Sequence, residues 1–349
     1  MTTLEQDPLV RRTLRRAGCF LLSGVILLCA FWGALALWYQ LPLPGSGRGL
    51  VSLLWGAGSL FVVVRLWRRR VKRVFLAYAV ALAVLFTWWS GIQPSHDRDW
   101  ADDVARQLHG TVNGDRVMLE NVRNFDWRSD DDYTVRWEKR QYRLSDIRSV
   151  DVVLSYWMGP AIAHTLVSFG FENEKGGKDY LSFSVEIRKE RHEAFSAIAG
   201  FFKQYELVLV AADERDVLRV RSNVRGEDVY LYNVAMSPAA MRSLFLAYLD
   251  EAASLQHAPR FYDTLIANCT TIVFEMARRV APGLPSDYRL LLSGYLPEYL
   301  YELNALAQGY ELETLRASAR INERARTADH APHFSEIIRH GVPAASDKN

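Results

Sequence analysis

Three long apolar stretches dominate the N-terminal part of the chain, and a mixed polar–apolar pattern replaces them after residue 92. Residues 17–41, 50–67 and 74–91 each supply about 18 or more mostly apolar positions, enough for a helix to cross a hydrocarbon layer roughly 30 Å thick. Arg65 interrupts the second stretch near its end, where its side chain can snorkel to the interface. The pattern predicts three membrane-spanning helices over residues 1–92 and a separate domain over 93–349. A basic segment before the first stretch also fits a cleaved signal peptide, but the length of that stretch and the two that follow favour an anchor.

The later pattern predicts an α+β domain. Residues 96–121 read as a polar connection with a short amphipathic helix, and 116–148 as short strands and loops. Residues 149–156 alternate as a strand. Residues 162–171 and 180–188 alternate cleanly on either side of a polar turn containing Gly176-Gly177, which is a β-hairpin signature. Residues 191–204 are expected to be helical, and 206–211, 217–221 and 229–234 to be strands. Ser237-Pro238 opens a helix to about residue 255, and Pro282-Gly283 ends another that starts near Cys269. More helix is expected to about residue 325. There is no internal repeat, low-complexity stretch or clean linker, so the pattern predicts one domain after the spans.

Charge places that domain. Arg11, Arg12, Arg15 and Arg16 precede the first stretch, and Arg68, Arg69, Arg70, Lys72 and Arg73 separate the second from the third. The loop between the first two holds only Arg48. The positive-inside rule then leaves the N-terminus in the cytoplasm and everything after the third span outside. A formal net charge of +2 offers no global attraction for nucleic acid. Of three cysteines, Cys19 and Cys29 lie in the first span as small apolar residues. Cys269 is therefore alone in an oxidising compartment, where cysteines usually pair.

The chemistry converges on that cysteine. It stands where a polar loop becomes a helix, so first-turn N–H groups favour its thiolate. Asn268 is placed to cap the helix, and the N–H groups of Thr270 and Thr271 are candidates to stabilise an oxyanion. In the predicted hairpin, His164, Leu166, Ser168 and Gly170 share one face, opposite Ser182, Ser184, Glu186 and Arg188. An even-sum register sets His164 across from Glu186 or Arg188, so Glu186 is a direct or diagonal neighbour able to orient the imidazole. The same alternation also describes a sheet with one wet face, on which these groups are merely solvated.

These motifs occur in a recognisable order. His164-Thr-Leu-Val-Ser168-Phe-Gly-Phe171, Ser184-Val-Glu186-Ile-Arg188, Tyr205-Glu-Leu, Asp213-Glu214-Arg215-Asp216 and Tyr262 followed by Asn268-Cys269-Thr270-Thr271 resemble the family of the Lnb N-terminal periplasmic domain, over about residues 140–340. Lnb is a bacterial lipoprotein N-acyltransferase. More distantly, histidine-before-cysteine order resembles the permuted NlpC-type superfamily, which includes lecithin–retinol acyltransferase-like enzymes. The resemblance implies a papain-like fold with an antiparallel sheet and packed helices, and thiol-mediated acyl transfer. By position it makes Cys269 the nucleophile and His164 the base.

The resulting expectation is an inner-membrane, multi-pass protein whose periplasmic domain acts on an ester or amide of a membrane lipid or lipoprotein, without a cofactor or metal. A cell-wall thiol peptidase or amidase uses the same pair. A non-catalytic binding module on the same scaffold is the third reading. Other motifs carry less. His330, His333 and His340 lack metal-site spacing, Asp130-Asp131-Asp132 lacks the rest of a calcium loop, and the apolar run 288–301 is rich enough to line an acyl groove but reads first as core-facing helix broken near Pro297.

Overall fold

The computed structural model describes residues 8–68, 72–174 and 176–345. Arg69 and Arg70, part of the basic loop expected on the cytoplasmic side, lie outside the described residues. The chain forms two compact units. One comprises the N-terminal segment to Pro94 together with Ile198–Gln204, and the other comprises Ser95–Ala197 with Tyr205 onward.

In the first unit the apolar stretches become helices α1 (Pro8–Gln40), α2 (Gly45–Trp67) and α3 (Lys72–Gly91), all long and apolar enough to cross a membrane. Gly33 lets α1 and α2 approach closely, since a Cβ there would lie 2.5 Å from the Trp55 indole nitrogen. The far ends of α1 and α3 share a partner. Phe202 stacks on Tyr39 at 5.7 Å and meets Trp89 edge-on at 6.0 Å, while Gln40 donates to its carbonyl at 2.7 Å. The expected helix at 191–204 is reduced to one 3-10 turn, Ala199–Phe202. Phe202 and Lys203, which donates to the carbonyls of Trp89 and Ile92, bind the spans instead of a helical face.

The second unit is built on an eight-stranded sheet: β1 (His109–Asn113), β2 (Arg116–Arg123), β5 (Trp137–Arg143), β6 (Ile147–Tyr156), β7 (Ala163–Glu172), β8 (Lys178–Arg188), β9 (Glu206–Ala212) and β10 (Asp228–Asn233). Its order is β1-β2-β9-β8-β7-β6-β10, with β5 also on β2. All pairs are antiparallel except β2 with β9. Strands β3 (Asp126–Trp127) and β4 (Tyr133–Thr134) form a separate ladder. The segment 96–121 is therefore not a mere connection: it carries one 3-10 turn and then β1 and the start of β2.

Alternation along the hairpin buries both faces. Val167, Phe169, Phe171, Leu181, Phe183 and Val185 pack on Phe245 and Tyr248 of α5 (Pro238–His257) and on Ile272 and Met276 of α6 (Cys269–Val280). On the reverse face, Val153, Leu166, Val208 and Val210 meet Val217 and Leu218 of α4 (Glu214–Arg219), Ala325 of α9 (Asn322–Thr327) and Phe334 of α10 (Phe334–Ile337). There is no wet face, and Ser168, Ser182 and Ser184 are buried. Helices α7 (Leu296–Glu302) and α8 (Leu312–Ala319) cover Leu154 and Tyr232 at the β10 edge. Pro297 sits in the first turn of α7, so it begins that helix instead of breaking one.

The expected strand at 217–221 is α4 followed by a π-helical turn, Val220–Val224. Asp213 decides this by capping the helix: its carboxylate accepts the Arg215 N–H at 2.9 Å. The rest of the Asp213-Glu214-Arg215-Asp216 motif is a buried ionic frame. Asp216 holds Arg123 through two bonds of 2.9 and 3.0 Å and also accepts from Phe125 N and Trp127 Nε1. Glu214 binds Ser168 and Arg339, and Arg339 also binds Asp151. Each buried charge is paired and hydrogen-bonded, which is the condition for tolerating it inside a domain.

Candidate active site

The site forms where β7 begins and α6 begins. Strand pairing follows the expected even sum, with Leu166 opposite Ser184 and Val167 opposite Phe183. The ladder stops there, and the next positions in the same register are His164 and Glu186. Their side chains meet at 3.2 Å (Nε2 to Oε1). Ser184 stands between them, 2.7 Å from the imidazole Nε2 and donating to Glu186 Oε1 at 2.7 Å. Of the two partners the alternation left open, Glu186 is the neighbour. Arg188 turns away and donates to the carbonyls of Val104 and Ala105.

Cys269 reaches this point because α6 is pinned to β7. Thr165 and Thr270 are both buried and their hydroxyls lie 3.0 Å apart. Asn268 caps the helix as expected, its Oδ1 accepting from Thr270 N at 2.9 Å and Thr271 N at 3.0 Å, while Asn268 N donates to Thr271 Oγ1 at 2.9 Å. This reciprocal cap corrects one expectation. The N–H groups of Thr270 and Thr271 already serve Asn268, so they are not free for an oxyanion. Replacing Asn268 by alanine is expected to cost about 1 kcal/mol, seen as a fall of roughly 2–4 °C in the thermal midpoint of the domain.

The thiol is part-buried, with Sγ 3.9 Å from Thr270 Oγ1. Burial pushes its pKa up, but the charge and hydrogen bond of His164 outweigh this, helped by Thr165 N–H and the Thr270 hydroxyl, and the net direction is down. Burial is the largest single influence on His164 and lowers its pKa, yet the Glu186 carboxylate and the charge and hydrogen bond of Cys269 together overcome it and the imidazole is raised to about 9. Burial likewise raises Glu186, and His164 and Arg221 overcome it, holding the carboxyl well below the usual carboxylate range. Both shifts run in the same sense, favouring a thiolate beside an imidazolium. Such a pair can attack a carbonyl carbon and protonate a leaving group.

Arg221 lies in a run whose apolar pattern predicts a strand, which gives no sign of its place in the site. From the π-helical turn it donates to Glu186 Oε1 at 2.8 Å and contacts Glu227 Oε2 at 3.3 Å. Glu227 in turn accepts from Ser155, the residue paired with His164 across β6. Only the ladder partner Ser155 was open to inference from strand pairing.

Geometry and motif order now coincide with a family comparison. Residues 133–294 match the Lnb N-terminal periplasmic domain family. The Lnb match takes in His164, Ser184, Glu186, Arg221 and the whole Asn268-Cys269-Thr270-Thr271 motif, and it ends before α7. No curated protein sequence and no solved structure matches the chain. Three long apolar helices ahead of the region that matches the Lnb N-terminal periplasmic domain family support a membrane-associated protein with its C-terminal domain on the periplasmic side.

The remaining sequence candidates fall outside this site. His330 pairs with Asp329 and His333 with Glu336, all largely exposed or at the surface. Asp130 binds Arg225 and Asp132 binds Arg128. In the 288–301 run, Leu290, Leu296 and Tyr299 are core, whereas Leu291 and Leu292 are exposed.

Proposed function

We propose that the chain is a multi-pass inner-membrane thiol acyltransferase or hydrolase of papain-like design, acting on an ester or amide of a lipid or lipoprotein in the periplasm. The observation that carries this reading is the convergence of Cys269, His164 and Glu186 where a strand end meets a capped helix start. A strand histidine facing a helix-start cysteine is the working arrangement of papain-like thiol enzymes, and here the histidine comes first along the chain.

In this reading the Cys269 thiolate attacks the acyl carbonyl carbon. The tetrahedral intermediate then collapses, its bond to the leaving oxygen or nitrogen breaks, and the His164 imidazolium supplies the proton. A thioester remains on Sγ. His164, now neutral, takes a proton from the incoming amine or water as it attacks, and the thiolate is released again. With Thr270 and Thr271 engaged by the cap, the N–H of Cys269 itself is the backbone donor for the oxyanion. It is the first residue of α6 and has no intrahelical acceptor. Glu186 holds the ring and its charge. The spans keep a bilayer-resident substrate at high effective concentration.

Incubation of the full chain with lipid vesicles, followed by acid quench and peptide mass spectrometry, tests the proposal. The expected result is a hydroxylamine-labile fatty-acyl adduct on the peptide containing Cys269. A peptidyl adduct there, or an unmodified thiol that also resists alkylation, overturns it.

A further inference from the structure

Apolar loop tips ring the end of the sheet where Cys269 and His164 meet. Trp157 and Met158 form the tip of the β6–β7 turn, just past the Ser155–His164 pair. Trp157 packs edge-on against Phe195 with ring centroids 5.1 Å apart. Leu265 and Ile266 occupy the turn closed by Asp263 and Ala267, immediately before Asn268. Leu291 joins them near Gly294, whose N–H donates to Ala161 in the β6–β7 turn at 3.0 Å. All six of these large apolar side chains are exposed, Ile266 by 73%. Exposed apolar groups clustered around one opening mark an interaction surface.

Chain connectivity says what covers it. The turn before Cys269 is tied to both flanks of the Ile198–Gln204 segment. Thr264 Oγ1 donates to Ala197 O at 2.8 Å, and Tyr262 N donates to Tyr205 O at 2.9 Å. The segment between those two residues belongs to the unit of the spans, where Phe202 meets Tyr39 and Trp89. Phe195 is three residues from Ile198, a reach of about 10 Å at full extension. The collar is thus joined by only a few residues of chain to a segment of the unit that holds the three long apolar helices, and the apolar phase such helices cross is lipid.

We infer that this collar dips into the acyl-chain boundary of the bilayer that anchors the chain, so that a lipid acyl group passes to Cys269 without crossing water. Trp157 suits such a depth, since tryptophan concentrates at membrane interfaces. The inference rests on the proposed acyl chemistry for its purpose, but its test does not use that chemistry.

The experiment uses the full chain in phosphatidylcholine nanodiscs, with Cys19, Cys29 and Cys269 replaced by alanine. An environment-sensitive NBD label is placed through Ile266→Cys or, as the reference, through Lys178→Cys. Lys178 begins β8 at the other end of the strand from Glu186. Acyl-chain doxyl lipid is expected to quench half or more of the emission at 266 and to leave 178 nearly unchanged. Equal behaviour at the two positions overturns the inference. So does protection at 266 that depends on protein concentration in detergent and not on lipid, which assigns the collar to a second copy. A second variant keeps all three cysteines and combines Leu265→Ser with Ile266→Ser. It is expected to slow acyl adduct formation from vesicles several-fold while iodoacetamide alkylation of Cys269 is unchanged, and equal slowing of both reactions counts against the collar. A failed acyl-enzyme proposal leaves the quenching result standing, and failed quenching leaves the adduct standing.

Discussion

Replacing Cys269 by alanine is expected to lower acyl transfer by about 10⁴-fold or more, the scale seen when one member of a nucleophile–base unit is removed. The reason is that the sulfur forms the bond on which the proposed reaction turns, and no neighbouring group substitutes for it. Thr270 and Thr165 offer hydroxyls, but these are buried and bonded to each other at 3.0 Å. His164→Ala is expected to lose nearly as much, because without the imidazolium the buried thiol's pKa rises and the leaving group has no proton donor. The Cys269→Ala and His164→Ala changes together are expected to cost little more than either alone, since they act on one unit. Acyl turnover measured beside the thermal midpoint checks this. A Cys269→Ala protein that is folded and retains transfer removes the sulfur from the mechanism, and strictly additive losses dissolve the unit.

Much of this site was legible before the fold, because its parts are local patterns. Alternation through 163–171 and 180–188 admits one parity, and that parity brings Glu186 to His164. Asn268 reads as a helix cap from composition alone, and Ser237-Pro238 as a helix start, and both cap in the structure. The misreadings have a common physical origin. The run Val217-Leu-Arg-Val-Arg221 is short and apolar enough for a strand, and only the Asp213 cap and burial against the reverse face of the sheet make it helical. Arg221 was invisible for the same reason: its partners, Glu186 and Glu227, are chosen by tertiary packing. The 191–204 segment lost its helix to contacts with Tyr39 and Trp89, more than a hundred residues away. That the N–H groups of Thr270 and Thr271 are taken up by the cap is likewise set by the fold, since cap and oxyanion donor compete for the same hydrogens.

The protonation state of the pair supplies the sharpest test of Glu186. In the native site His164 is raised to about 9 and Cys269 is lowered, so thiolate and imidazolium coexist between those two limits. They titrate as a pair, and the limits belong to both groups together. Below the lower limit the thiolate is protonated, and alkylation and transfer both fall. Above about 9 the imidazolium loses its proton; the bare thiolate still alkylates, but transfer declines because the leaving group goes unprotonated. Glu186→Gln removes the largest of the influences that raise His164 against burial of the ring, so the His164 pKa falls and the Cys269 pKa climbs. On the acid side of the native profile, iodoacetamide alkylation of Cys269 is then expected to slow severalfold because less thiolate is present, while the rate well above the thiol's new pKa approaches that of the native protein. The same sign holds for stability. A histidine raised from 6.5 to about 9 stabilises the fold fully below its unfolded pKa, and that contribution is lost as pH rises through 9. Glu186→Gln should therefore remove the alkaline decline in thermal midpoint along with the acid-side reactivity. An alkylation profile that ignores Glu186→Gln would show that the carboxylate merely neutralises Arg221, and that some other group sets the charge of the imidazole.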